Sequence, residues 1–292
     1  MPELPEVETI VRGLKKEVLN RTFLNIWTDT LRLVKYPNFK DFKKNIIGRK
    51  ILNIQRRGKN ILFCLDKEYV LLIHQKMTGH LLVGKWKNNK SKWIAENRGP
   101  LFVDKINNYL HFIFFLDDGR QIALSDVRKF AKVELWKKEE LINSKGFSSL
   151  GPEPLSDSFT LLKFKALFVK KIGEAKKVLM DQSFIAGIGN IYASEILWEA
   201  RIHPKSRIEY LNEEDIKNLY KAIKKILKKG IKAGGASLSD FRDVYGNEGG
   251  FQKLAKVYQR EGDLCLICGS KIKRIVIGQR GTFYCPKCQI KK

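Results

Sequence analysis

The four cysteines near the end of this chain constrain its folding more than any other feature. They read Cys265-Leu-Ile-Cys268, then sixteen residues, then Cys285-Pro-Lys-Cys288. Each Cys-x-x-Cys puts two sulfurs on one tight turn, and two such turns close a tetrahedron around one metal ion. Disulfides would need an oxidising compartment, which nothing in the sequence supports. The spacing therefore predicts one structural Zn2+ with no open position for catalysis. Lys271–Ile277 and Thr282–Tyr284 are expected to pair as a β-hairpin across Gly278–Gly281. The hairpin carries Lys271, Lys273, Arg274 and Arg280, a set suited to phosphate, and Arg280 at its turn is a candidate DNA contact. The fifth cysteine, Cys64, stands alone in an apolar run and reads as an inert core residue.

Charge narrows the choice of partner. Lys and Arg number 56 against 31 Asp and Glu, a net charge of +25. Such an excess favours a polyanion. It runs along the whole chain and is not gathered in a juxtamembrane block. No apolar run reaches the length of a membrane span, and the start of the chain lacks a basic and apolar leader. The expectation is a cytoplasmic, nucleoid-associated protein with no membrane partner.

Periodicity divides the 292 residues into regions. Residues 5–20 read as an amphipathic helix, with Val7, Ile10, Val11, Leu14 and Val18 at helical spacing. Residues 22–136 read mostly as strands, with an Asp118-Gly119 hairpin signal, and suggest a sandwich or barrel. Residues 85–108 are polar and are expected to form a loop. Gly151-Pro152-Glu153-Pro154 resembles a linker. Helices are expected at 156–169 and 191–200. A third is expected at Asn212–Lys229, capped by Asn212 and ended by Gly230.

The first residues read Met1-Pro2-Glu3-Leu4-Pro5-Glu6. If Met1 is removed, Pro2 gains a free secondary amine. An α-amine has a reference pKa near ~8, against roughly 10.4 for Lys, so far more of it is unprotonated at neutral pH. Such an amine is a ready nucleophile. Its attack on a sugar C1′ would give a cationic iminium, and Glu3 is the adjacent carboxyl for proton transfer. Taken alone, the same hexapeptide reads as an ordinary helix start with Pro in the first turn.

Four segments in order favour the chemical reading. PELPEVET at Pro2–Thr9, GIGNIYASE at Gly187–Glu195, IHP at Ile202–Pro204 and GQRGTFYCPKCQ at Gly278–Gln289 resemble the bacterial formamidopyrimidine-DNA glycosylases. The resemblance spans essentially the whole length. It implies an α+β multidomain fold: an N-terminal β-sandwich with a leading helix, a helix-two-turn-helix domain and a C-terminal zinc-finger hairpin. The expected boundaries are 2–150, 151–250 and 251–292. In that family DNA lies in a cleft between two lobes. An oxidised purine is flipped out and excised, and the strand is then nicked by β- and δ-elimination. The partner is double-stranded DNA with an oxidised base, and the enzyme is expected to be a monomer.

Site roles follow from the same resemblance. Pro2 matches the Schiff-base nucleophile, Glu3 the acid/base, and Glu6 a carboxylate that organises the N-terminus. Lys59 matches a lysine near the scissile phosphate. Met77, Arg128 and Phe130 match the set that fills the hole left by the flipped nucleotide, where an apolar wedge replaces stacking and Arg reads the orphan cytosine. Asn190 and Arg280 match phosphate binders, and His74 and His111 match histidines near the DNA backbone. Val244–Gly250 matches a mobile loop that closes over the everted base. Two departures stand out: the stretch before the Asp118-Gly119 hairpin keeps only His111 of a Lys-His-Asp-His pattern, and Lys76 replaces a small residue or Arg. Two rival readings are an endonuclease VIII-like glycosylase for oxidised pyrimidines and a non-catalytic zinc protein that only binds nucleic acid. Leu4, where the pyrimidine-directed branch has Gly, and the void-filling trio favour oxidised purines. Pro2-Glu3 argues against a pure binder.

Overall fold

A computed structural model describes every residue but Ser91 and Lys170. The chain forms two compact units, residues 1–148 with 233–252 and residues 149–232 with 253–292.

In the first unit α1 (Leu4–Val18) leads into β1 (Phe23–Thr28), β2 (Val34–Tyr36), α2 (Phe39–Ile46), β3 (Ile51–Arg57), β4 (Asn60–Leu65), β5 (Tyr69–His74) and β6 (His80–Gly84). There follow β7 (Trp86–Asn89), β8 (Lys92–Ala95), α3 (Pro100–Val103), β9 (Leu110–Leu116), β10 (Gln121–Ser125), β11 (Lys132–Lys137), α4 (Lys138–Asn143) and α5 (Lys145–Ser148). The order β1-β9-β10-β6 makes one sheet and β2-β11-β5-β4-β3 the other. Strand residues alternate between two faces, and β9 shows what that produces here. Phe112, Phe114 and Leu116 point into the core between the sheets. Ile113 and Phe115 point the other way, beneath Trp86, Trp93 and Ala95. The apolar face of α1 joins the inner core through Val7, Ile10, Val11, Leu14 and Val18.

The expectation of a loop at 85–108 is therefore corrected. Its strands β7 and β8 pair Trp86 with Ala95 and Asn88 with Trp93. Trp93 meets Trp27 edge-on with ring centroids 5.3 Å apart. The segment folds because it covers an apolar outer sheet face, which its own polar composition does not reveal. Cys64 is also less enclosed than expected: it is half-buried beside a cavity of about 390 Å³ on the outer face of the second sheet. Burial pushes its thiol pKa up, which leaves it unreactive.

The second unit contains α6 (Leu161–Ala166), α7 (Ala175–Met180), α8 (Asn190–Glu199), α9 (Glu213–Lys232) and the hairpin β12 (Lys273–Ile277) and β13 (Arg280–Tyr284). α6 is shorter than the expected 156–169, because Thr160 caps it, its Oγ1 accepting from Lys163 N–H at 3.3 Å. α9 begins as expected, with Asn212 Oδ1 accepting from Asp215 N–H at 2.9 Å. It does not end at Gly230, which is buried inside the helix. The turn comes at Gly234 and Gly235, with φ of +73° and +81°. In the finger hairpin the turn is Gly278-Gln279, both left-handed, and Arg280 opens the returning strand opposite Ile277.

The segment 233–252 packs with the first unit, whereas the sequence boundary at 250 assigns it to the middle domain. The physical reason is the contact between its backbone and Glu6 described below.

Backbone packing yields a paired test of the fold. A Cβ on Gly151 would lie 2.5 Å from the Ser183 carbonyl oxygen, whereas one on Gly146 meets nothing within 4 Å. Gly151→Ala should cost about 1–3 kcal/mol by overpacking, and Gly146→Ala, in an exposed helix, should be neutral or stabilising by up to ~1 kcal/mol. Thermal melting of the two variants compares them directly; equal melting temperatures would contradict the packing at Gly151.

Candidate active site and nucleic-acid interface

Pro2, Glu3, Glu6 and Lys59 are all buried, with Glu3 and Glu6 each 2% exposed and Lys59 7%. Glu3 is the N-cap of α1 and forms a capping box with Glu6. The Glu3 backbone N–H donates to Glu6 Oε2 at 2.7 Å. Glu6 Oε1 accepts from the Ala236 backbone N–H, also at 2.7 Å. Gly235 must be glycine for this contact, since its φ is +81° and a Cβ would lie 2.9 Å from the Glu6 side chain.

Lys59 follows Gly58 in the tight turn between β3 and β4. Arg56 holds that turn to α1, its Nη1 donating to the Gly58 carbonyl at 3.1 Å and its Nε to Glu8 Oε2 at 3.0 Å. Burial raises the Glu8 pKa, but Arg12 and Arg56 outweigh it and hold the carboxyl below its usual range. At the terminus itself, burial lowers the pKa of the Met1 amine; Glu3, Glu6 and Asp240 oppose the shift and Lys59 adds to it. One electrostatic neighbourhood thus holds the chain start, two carboxylates and a lysine. Asp240 is a member the sequence did not suggest.

His74 ends β5. Burial, then Lys76, Lys132 and Lys59, push its pKa down to about 3. It is neutral, and Nδ1 accepts from the Lys76 N–H at 2.9 Å. That bond leaves the ring proton on Nε2, as a donor suits a phosphate oxygen. His111 differs: its Nδ1 lies 3.0 Å from both Asp29 carboxylate oxygens.

Met77, Arg128 and Phe130 lie on two neighbouring turns, and a buried residue that sequence reasoning missed joins them. Asp126 is fully buried. Its carboxylate accepts from the N–H groups of Phe130 at 2.7 Å and Ala131 at 2.8 Å, and from the Thr78 hydroxyl. Thr78 in turn accepts from the Arg128 N–H at 3.1 Å. The turn of Met77 is therefore fastened to the turn of Arg128 and Phe130. Phe130 is 48% exposed, not core, and the Arg128 guanidinium lies 4.6 Å from its ring centroid. Met77 is half-buried.

In the second unit, Asn190 begins α8 directly after Gly187-Ile188-Gly189. Its Nδ2 donates to the Gly281 carbonyl at 3.1 Å, which ties it to the residue beside the exposed Arg280. Two buried polar groups support this arrangement: Lys176, which carried no sequence signal, and Glu195, which closes the GIGNIYASE segment but had no role assigned to it. Lys176 is fully buried and its Nζ donates to the Asn190 carbonyl at 2.7 Å and to Ser194 Oγ at 2.6 Å. Glu195 accepts from the backbone N–H groups of Lys256, Val257 and Tyr258 at 2.8, 2.9 and 2.9 Å. Burial outweighs those donors and raises its pKa.

The four thiols of Cys265, Cys268, Cys285 and Cys288 lie within 4.8 Å of one another and form no disulfide. Sγ separations of 3.8 Å for Cys265–Cys288 and 3.4 Å for Cys268–Cys285 fit the edge of a tetrahedron with Zn–S bonds of about 2.3 Å. The chain thus has one structural zinc site, closed by four sulfurs.

Comparison with known proteins bears on the same residues. Residues 1–133 match the family model described as the formamidopyrimidine-DNA glycosylase N-terminal domain. Residues 150–242 match the H2TH domain of that enzyme, and 262–290 the zinc finger found in FPG and IleRS. The formamidopyrimidine-DNA glycosylase of Ligilactobacillus salivarius is 37% identical over 292 residues, covering all of both chains. That of Chloroflexus aggregans is 39% identical over 99% of each chain. The chain belongs to the formamidopyrimidine-DNA glycosylase family. Its fold is similar to that of the Lactococcus lactis member of the family solved with DNA containing an abasic site. The TM-score is 0.87 at 32% identity, covering 99% of this chain and 100% of that one.

Two histidines, the half-buried His74 and the fully buried His80, make stability depend on pH. His74 and His80 have pKa values near 3 and 4 in the fold, against roughly 6.5 when unfolded. Below about pH 6.5 the unfolded chain binds more protons, so stability is full above that pH and falls on acidification, on the order of 1 kcal/mol per pH unit for each histidine. His74→Asn should flatten this loss between pH 7 and pH 5.5 in urea unfolding; a slope equal to wild type would show that His74 does not resist protonation.

Proposed function

We propose that the chain, once Met1 is removed, is a bifunctional DNA glycosylase and abasic-site lyase for oxidised purines, with Pro2 as nucleophile. The observation that carries this reading is the buried N-terminal cluster. With Met1 attached, the Pro2 nitrogen is an amide and cannot attack. After processing, its secondary amine lies beside Glu3, Glu6 and Lys59, in surroundings whose burial already depresses a terminal amine. The unprotonated fraction that attacks is raised accordingly.

The chemistry proceeds by exchange of bonds at C1′ of the deoxyribose. The Pro2 nitrogen bonds to C1′ as the glycosidic bond breaks; the electron pair leaves with the base, which takes up the proton that the Pro2 nitrogen loses. Glu3 donates a proton to the ring oxygen as the sugar opens, giving an iminium between Pro2 and C1′. That cation makes the C2′ hydrogen acidic, so its loss expels the 3′ phosphate. A second elimination expels the 5′ phosphate, and water releases the enzyme. Lys59 offsets phosphate charge near the reaction. Met77, Arg128 and Phe130 fill the gap left by the everted nucleotide. Asn190, Arg280 and the Nε2–H of His74 bind phosphates.

In this reading residues 2–150, joined by the returning segment 233–252, form the catalytic domain, the rest of 151–250 the helix-two-turn-helix domain and 251–292 the zinc finger. Among the described residues no helix is long and apolar enough to cross a membrane. We place the protein with the chromosome in the cytoplasm, where its substrate is.

Borohydride reduction of a reaction with 8-oxoguanine opposite cytosine should trap one protein–DNA adduct at Pro2, located by mass spectrometry. Protein that retains Met1 should give none. An adduct elsewhere would displace Pro2 from its role, and faster excision of thymine glycol than of 8-oxoguanine would assign the chain to the pyrimidine-directed branch.

Zinc removal should separate binding from folding. Chelation should weaken affinity for lesion DNA by about tenfold or more, one or two charge-assisted phosphate contacts, while the β-sheet circular-dichroism signal of the sandwich persists. Unchanged affinity would contradict the phosphate role of Arg280.

A further inference from the structure

The segment 100–108 contains two polar side chains that the mechanism above does not use, the half-buried Asp104 and the fully buried Asn107, and both bond to the returning segment 233–252. The Arg242 guanidinium is 6% exposed. Its Nε donates to Asp104 Oδ2 at 2.6 Å, and its Nη1 donates to the carbonyls of Ser239 and Phe241 at 3.1 and 2.8 Å. Its Nη2 lies 3.1 Å from Glu248 Oε1. One guanidinium thus joins both arms of the loop to each other and to Asp104. The second link is Asn107, which is fully buried. Its Nδ2 donates to the Gly246 carbonyl at 3.2 Å and to the Pro100 carbonyl at 2.9 Å. Its Oδ1 lies 3.0 Å from Nε2 of the buried His80. Gly246 has a φ of +85°, and a Cβ there would lie 2.6 Å from Asn107 Nδ2.

We propose that Asp104 and Asn107 are positioning residues that hold the segment 238–250, and with it the Val244–Gly250 loop, in the pose required over the everted base. The inference rests on the family reading that this loop closes over that base. The loop is thus less free than its glycines suggest. It is clamped at Arg242 and Gly246, and the Val244 carbonyl accepts from the Val83 N–H at 2.8 Å. A loop anchored by a buried guanidinium and a buried amide loses little further freedom when a base arrives, which is how preorganisation speeds a reaction. An abasic site presents no base to cover. The clamp therefore affects base excision and leaves strand cleavage at a preformed abasic site alone.

The test uses the full-length, Met1-processed, zinc-loaded protein with Asp104→Ala, Asp104→Asn and Asn107→Ala. Single-turnover excision of 8-oxoguanine should slow by about tenfold or more in the two alanine variants, while cleavage of an abasic site in the same duplex stays within about twofold. Asp104→Asn, which keeps an acceptor for Arg242, should recover part of the loss. Without DNA, amide hydrogen exchange at 238–250 should accelerate by about tenfold in the alanine variants, with the sandwich strands unchanged. Equal loss of both activities, or unchanged exchange in the loop, would overturn the proposal. Failure of the wild type to excise 8-oxoguanine would refute the functional reading, and the exchange measurement would still decide whether the clamp exists.

Discussion

Glu6 has almost no access to water, and its two oxygens serve two parts of the chain distant in sequence. One accepts from the backbone of Glu3, the other from Ala236, both at 2.7 Å. Charge-assisted bonds of this kind are shorter and stronger than neutral ones. A buried carboxylate without them would be strongly destabilising. The consequence is mechanical. The start of α1 is fixed by its own capping box and fastened to the segment that returns after α9. Position 2 therefore directly precedes an anchored helix start although it lies at a chain end, where fraying is normal. A nucleophile at a chain terminus needs such an anchor, because a free terminus would lose the orientation that makes attack efficient.

The same device recurs wherever a functional side chain lies on a turn. Asp126 fastens the turns of Met77, Arg128 and Phe130. Lys176 and Glu195 fasten the start of α8 and the chain that enters the finger. Each is buried, and each accepts from or donates to backbone. Arg128 and Phe130, on the exposed turn, are held through their backbone by Asp126 and Thr78 in the interior. Substitution of such a supporting residue leaves a buried group unpaired, at about 1–3 kcal/mol or more.

This division explains which parts of the molecule were legible in the sequence. Local signals carried α1, the Asp118-Gly119 hairpin, the cap at Asn212 and the finger, because helical period, turn chemistry and Cys spacing are properties of adjacent residues. The resemblance supplied Pro2, Glu3, Glu6 and Lys59, and the structure brings them into one buried neighbourhood. Residues 85–108 were illegible because β7 and β8 are stabilised by Trp27, Ile113 and Phe115 from distant strands. Asp126 and Lys176, and the fastening role of Glu195 at the end of the GIGNIYASE segment, were illegible for a related reason. A charged residue in a sequence reads as surface, and only its partners in three dimensions reveal that it is a buried fastener.

Phe130 shows how far this support is needed. A half-exposed phenylalanine with an arginine over its ring leaves apolar area in water, which folding alone would not favour. The cation–π contact recovers on the order of 0.5–1 kcal/mol at an exposed site. The rest of the cost is met by Asp126, which holds the backbone of residue 130 whether or not the ring is covered. The backbone beneath the ring is therefore fixed before any surface meets it. On the proposed reading a gap in a base stack offers the ring two faces, and a preset backbone leaves less freedom to lose on entering it. Exposure of an aromatic side chain on a rigidly fastened turn thus fits a surface that acts by insertion better than one that acts by charge alone.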